Sequence, residues 1–189
     1  MAYFYIDFTR GIYHIKPNMA LRLMKKAYNA FLLLTNEKRR LIDTESEIKY
    51  LECIVENKNI KYLDEISEQI SEKGYTHMYV NSIFKRAALR IKSGEFITAQ
   101  NLLIKVSRIF DLDKFHRSKL LFCNLMSAIY FNEKKFDLMK KYIIIQNDVA
   151  KNIGKSYQNN IDLQNLQFSK IDFNYKAKSN YFPIETRMW

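Results

Sequence analysis

From Met78 onward, apolar residues recur at helical spacing. Val80, Ile83, Phe84, Ala87 and Ile91 fall three and four positions apart and mark one buried helix face, with Lys85, Arg86 and Lys92 off that face. The run stops at Lys92-Ser93-Gly94-Glu95, where Gly94 is placed to take the left-handed conformation that closes a helix. A second amphipathic run follows at once through Phe96, Ala99, Leu102, Leu103, Val106 and Phe110. Two helices joined by so short a turn are expected to lie antiparallel.

The same pattern returns further along. Leu121, Leu125, Ala128 and Tyr130 lead to the polar turn Asn132-Glu133-Lys134-Lys135, and Phe136, Met139, Tyr142 and Ile143 open the returning helix. Phe96 and Phe136 then stand in equivalent places, forty residues apart. Upstream, Ala20 is expected to begin a similar second helix after the turn Lys16-Pro17-Asn18. Asn57-Lys58-Asn59 separates a helix through Ile48, Leu51 and Ile54 from one through Leu63, Ile66 and Ile70. The expectation is an all-α chain of about four helical hairpins over residues 1–153, with a capping helix and an aromatic tail over 154–189. Four Gly and two Pro among 189 residues suit long helices and argue against a turn-rich β fold. A single amphipathic hairpin leaves much of its apolar face bare, so neighbouring hairpins are expected to stack and bury it.

The segment Leu125-Met126-Ser127-Ala128-Ile129-Tyr130, followed by Lys135-Phe136-Asp137 and Met139, resembles a tetratricopeptide repeat. Ile91-Lys92-Ser93-Gly94-Glu95-Phe96-Ile97-Thr98-Ala99 looks like the same turn, with Gly, an aromatic and Ala in the usual places, and Met19-Ala20 through Lys26-Ala27 matches the small positions of another second helix. The family's period is about 34 residues. The longer spacing here is similar to that of bacterial peptide-pheromone receptors, including the aspartate-phosphatase regulators and the phage arbitrium receptors. The resemblance, over residues 3–152, implies a short right-handed solenoid whose concave surface binds a peptide. The helix-turn-helix of the members that act as transcription factors finds no room before Pro17.

In such proteins the groove is lined by the first helix of each hairpin. Carried over, the resemblance places Leu121, Asn124, Ala128, Phe131 and Asn132 there in the fourth hairpin, and Asn81, Phe84, Ala88 and Lys92 in the third. Asparagines in a groove would pair with an extended peptide backbone, having both donors and an acceptor; otherwise Asn124 and Asn132 are surface or capping residues. Arg86 and Arg90 stand one helical turn apart beside Lys85, and Lys114, Arg117 and Lys119 extend the basic run. Such a cluster would hold a peptide carboxylate or a phosphate, or else is solvated charge. On the first reading, charge reversal at Arg86 and Arg90 weakens an acidic ligand and leaves the fold intact.

The net charge of +11 is uneven: residues 1–40 carry +6, 41–73 carry −5, 74–134 carry +6 and 135–189 carry +4. An acidic block between basic ones either neutralises a neighbouring helix or simply forms a solvated face. Glu45, Glu47 and Glu52 have the spacing of a solvated face. Nucleic acid bound through the basic faces is the rival to a peptide or protein partner, with nearby aromatics as stacking platforms. A structural subunit docking, or self-associating, through the tail is a third reading. That tail, Phe168 to Trp189, carries the only Trp at its end, and either caps the last hairpin, docks a partner or occupies the chain's own groove.

Catalytic and metal signatures do not emerge. His14, His77 and His116 lack ligand spacing with each other or with the cysteines, and Gly154-Lys155-Ser156 follows Val149 where a phosphate loop needs Gly. Cys53 and Cys123 sit in apolar helical patterns and read as buried free thiols of a reducing compartment. No leader is apparent, and Phe31-Leu32-Leu33-Leu34 is far short of the roughly 20 apolar residues that span a bilayer. A cytoplasmic, non-catalytic binding protein with no cofactor and no membrane partner is the expectation.

Overall fold

A proline can open a helix because its missing N–H would have no intrahelical acceptor in the first turn. Pro17 does so here, at the start of α1 (Pro17–Leu32), so Pro17 and Asn18, expected in a turn before Ala20, belong to the helix itself. The computed structural model describes residues 16–34 and 36–151, together with Tyr3, Tyr5, Ile6, Thr9 and Ile12. After α1 come α2 (Lys38–Val55), α3 (Lys61–Glu72), α4 (Thr76–Lys92), α5 (Phe96–Ile109), α6 (His116–Asn132) and α7 (Phe136–Lys151). The described residues contain these seven helices and no strand, so this part of the chain is all-α. The polar breaks expected at Asn57-Lys58-Asn59, at Gly94 and at Asn132–Lys135 all separate helices. His14, the Gly154-Lys155-Ser156 segment and the aromatic tail lie outside the described residues.

Three turns close their helices in the same way. In the turn after α4, the Gly94 N–H donates to the Ile91 carbonyl at 3.0 Å and the Glu95 N–H to the Arg90 carbonyl at 2.8 Å. After α3 the equivalent donors are Gly74 and Tyr75, and after α6 they are Lys134 and Lys135. This double bond pattern satisfies the last carbonyls of each helix and requires a left-handed residue at its hinge. The hinge φ is 70° at Gly74, 77° at Gly94 and 59° at Lys134. Two hinges are glycine, which takes this conformation freely, and the third is lysine, which does not.

The chain forms two compact units, Met1–Leu89 and Arg90–Trp189. In the first, α1 packs on α2 and α2 on α3. Its core includes Ile6, Leu21, Met24, Phe31, Ile48 and Leu51. Each such side chain, taken from water, contributes about 1.5–3 kcal/mol. Helix α2 is covered along most of its length, and none of residues 41–55 is exposed. In the second unit α6 packs on α7 and α5 on α6, with Leu120, Val149 and Ala150 forming one buried cluster. From Leu120 to Tyr130 every residue of α6 except Phe122 is buried. One of its buried polar groups is bonded within the helix, the Ser127 hydroxyl donating to the Asn124 carbonyl at 2.8 Å.

Candidate functional site

Burial of α2 changes the reading of its charges. Glu52 is 5% exposed rather than part of a solvated face. Its carboxylate lies 2.9 Å from the Lys25 ammonium and 3.1 Å from that of Lys58. Burial alone pushes the Glu52 pKa up, but hydrogen bonds from Lys25 and Lys58 outweigh it and hold the group below its ordinary value. Lys85 was expected off the buried face of α4, yet it is 5% exposed and its ammonium meets Glu47 of α2 at 2.8 Å. A buried cation needs such a partner, and the long lysine stem lets it reach one. Beside it, Arg86 pairs with Asp64 of α3 and donates to the Ser67 hydroxyl at 3.3 Å. Ser67 in turn shares a 2.6 Å hydrogen bond with Ser82.

The acidic block therefore neutralises Lys25, Lys85 and Arg86 from the basic blocks on either side of it. The positive cluster expected on α4 is largely matched locally. In the second unit Arg90 grips both oxygens of Glu95 at 2.9 and 2.7 Å, Lys114 meets Asp111 at 3.1 Å, and Lys119 meets Asp113.

The residues expected to line a groove are scattered in their environments. Within the first unit Asn81 is exposed, whereas Phe84 and Ala88 are buried. In the second, Asn124 and Ala128 are 0% exposed and Leu121 is also buried, so these three present no surface to a ligand. Asn132 is half-buried and its carboxamide N–H donates to the Ala128 carbonyl at 2.8 Å, which makes it a helix-end brace. Phe131 packs edge-on against Phe136 across the turn, with centroids 6.4 Å apart.

The second unit instead holds a cleft of about 440 Å³ where the connection after α5 folds against α6 and α7. Its lining includes Phe110, Phe122, Cys123, Tyr142 and Ile145. Asp111, Asp113, Lys119 and Lys141 supply charge at the same cleft. Phe110 is held by stacking on Phe115, with centroids 4.6 Å apart. Phe122, Tyr142 and Tyr130 form a run of rings at 6.2 and 5.6 Å, and the Gln100 carboxamide donates to the Tyr130 hydroxyl at 3.1 Å.

Burial pushes the Cys123 thiol up to about 12, opposed only in part by Lys119, so it is a neutral, soft apolar surface at any ordinary pH. Burial, then the neighbouring Tyr130 and Cys123, also raises the Tyr142 phenol. At the rim the bond from Lys114 holds Asp111 below its usual range. Lys119 is engaged by Asp113, while Lys141 is exposed and has no acidic partner among the described residues. Lys119 already belonged to the basic run read from sequence, but the rest of this lining did not. The connection over residues 110–115 brings three helices' residues together, and their separation along the chain carries no motif. Cys53 is half-buried, unlike Cys123, and both thiols are free.

Among the described residues no group of three or more His, Cys, Asp or Glu side chains is placed to hold a metal ion, and no helix is long and apolar enough to cross a membrane. Comparison with protein-family models, curated proteins and solved structures finds no match for this chain.

Proposed function

We propose that this chain is a non-catalytic adaptor or regulator that binds a peptide or protein segment, built as a solenoid of tetratricopeptide-like hairpins. The repeated α-helix, turn and α-helix, with starts at Thr76 and His116 and again at Phe96 and Phe136 forty residues apart, supports the repeat reading. One observation carries the binding reading: the aromatic cleft of about 440 Å³ in the second unit, with an exposed lysine, Lys141, at its edge that makes no ion pair among the described residues. That volume lies within the range of small-ligand sites and suits one or two side chains of a peptide. The occupant it favours is an apolar or aromatic side chain beside a carboxylate. The side chain would lie over Phe122 and Tyr142, and the carboxylate would face Lys141.

The test is selection of a random displayed peptide library on the full chain, followed by fluorescence polarisation with a selected peptide. Enriched sequences are expected to place an acidic residue next to an aromatic or branched one. Lys141→Glu, at an exposed position, is expected to weaken such a peptide about tenfold with an unchanged melting temperature, equal to about 1.4 kcal/mol. Failure to enrich any sequence, or an affinity indifferent to Lys141→Glu, overturns this reading.

A further inference from the structure

Where α1 ends, three consecutive leucines turn outward. Phe31 is fully buried, but Leu32, Leu33 and Leu34 are 56%, 84% and 48% exposed. The Leu34 N–H donates to the Phe31 carbonyl at 3.0 Å, and the Glu37 N–H to the Leu34 carbonyl at 3.4 Å. The leucines thus stand at the C-terminal end of α1 and directly after it. Immediately beyond this corner, α2 begins with Lys38, Arg39 and Arg40, all exposed. Positive side chains in the first turn of a helix oppose its own dipole, and α2 has no acidic residue there. The helix dipole thus gives no reason for three cations at this place; Arg39 and Arg40 lie over the Tyr75 and Tyr3 rings, each 5.5 Å from the ring centre. Tyr3 is 48% exposed beside them, edge-on to Phe31 and under the Arg40 guanidinium at 5.5 Å from the ring centre.

We propose that this corner docks the chain on an anionic lipid surface, the leucines entering the acyl boundary while Lys38, Arg39 and Arg40 meet the headgroups. A few apolar side chains or a few cations hold a protein only weakly at a bilayer; the two together suffice for reversible attachment. An aromatic ring with a polar hydroxyl suits the same interface. A second copy of the chain is a poorer occupant, because it would bring its own cations against these. Nucleic acid would match the cations but has nothing to offer three leucines.

The experiment is flotation of the full chain with vesicles of phosphatidylcholine alone and of phosphatidylcholine with phosphatidylserine. Binding is expected on the phosphatidylserine vesicles and at least tenfold weaker on neutral ones. Leu33→Asp replaces a side chain that is 84% exposed, so the fold should be kept, as circular dichroism will report. It is expected to lower partitioning about tenfold or more. Lys38→Gln, Arg39→Gln and Arg40→Gln together are expected to do the same. Absent or equal binding to both vesicles overturns the proposal. So does binding that survives Leu33→Asp, which would be adsorption by charge alone. Loss of self-association in Leu33→Asp without any vesicle effect would give the corner to a second copy instead.

Discussion

Lys134 is a non-glycine residue holding a hinge that glycine holds elsewhere. Its φ is 59°, close to the 70° and 77° of Gly74 and Gly94 in the same hydrogen-bonded turn. A side chain in that region crowds its own carbonyl and costs roughly 1 kcal/mol. Lys134→Gly is therefore expected to stabilise the protein by about 0.5–1 kcal/mol, and Gly94→Ala to destabilise it by about 1 kcal/mol, in urea unfolding. Nothing lies within 4 Å of a Cβ added at Gly94, so the second change reads conformation without a clash. If both variants unfold like the parent, the turn is not a hinge under conformational demand. Arg86 shows the opposite case, a residue whose charge is occupied by the fold. With Asp64 against it, Arg86→Glu would set two carboxylates face to face, so charge reversal there reports on folding before it reports on any ligand.

Between elements, the ion pairs act as clasps. Glu52 of α2 is held by Lys25 of α1 and by Lys58 just beyond α2. Its folded pKa lies below the unfolded value, so the unfolded chain binds the proton more readily. The stability this contributes is present above about pH 4.3, the ordinary glutamate value, and is lost as pH falls through the depressed folded value. Glu52→Gln is expected to cost about 1–2 kcal/mol at pH 7 and progressively less below pH 4. Urea melts of both proteins from pH 7 to pH 3 measure this. A gap that stays constant, or widens in acid, removes Glu52 from the clasp. The clasps also explain why α2 tolerates enclosure. A helix covered along most of its length must match its charged side chains or leave them stranded, and here neighbouring elements supply the counterions.

For the whole molecule, the net charge of +11 overstates what is open to a polyanion. Arg86, Arg90, Lys114 and Lys119 each have an acid beside them. Random-sequence duplex DNA at 150 mM salt is accordingly expected to bind no tighter than about 10 μM, within the ordinary non-specific range. A selected peptide should lose far less affinity than DNA between 50 and 200 mM salt. Titrations of both ligands across that range make the comparison. Tight duplex binding with a steep salt slope would move the function to the basic faces.

Helix type and the breaks at Asn57–Asn59, Gly94 and Asn132–Lys135 were legible in the sequence, because amphipathic spacing and the polar breaks between runs are local properties of the chain. Gly94 announced its turn for the same reason, while Lys134 did not, since lysine carries no conformational signal. The run Phe31–Leu34 was legible only as too short to span a bilayer. Which of its four side chains faces the core depends on where α1 stops and on what lies beneath Phe31. Likewise Asn124 and Glu52 look like surface residues by type, and only packing shows them enclosed. The cleft depends on residues from α6, α7 and the connection after α5 meeting in space. By itself, then, the sequence determined helices over the described residues and three of the breaks between them, since helices answer to neighbours three and four residues away. Tertiary structure alone decided which charges are matched, which polar groups are hidden and where a cleft opens, since those depend on contacts between elements far apart along the chain.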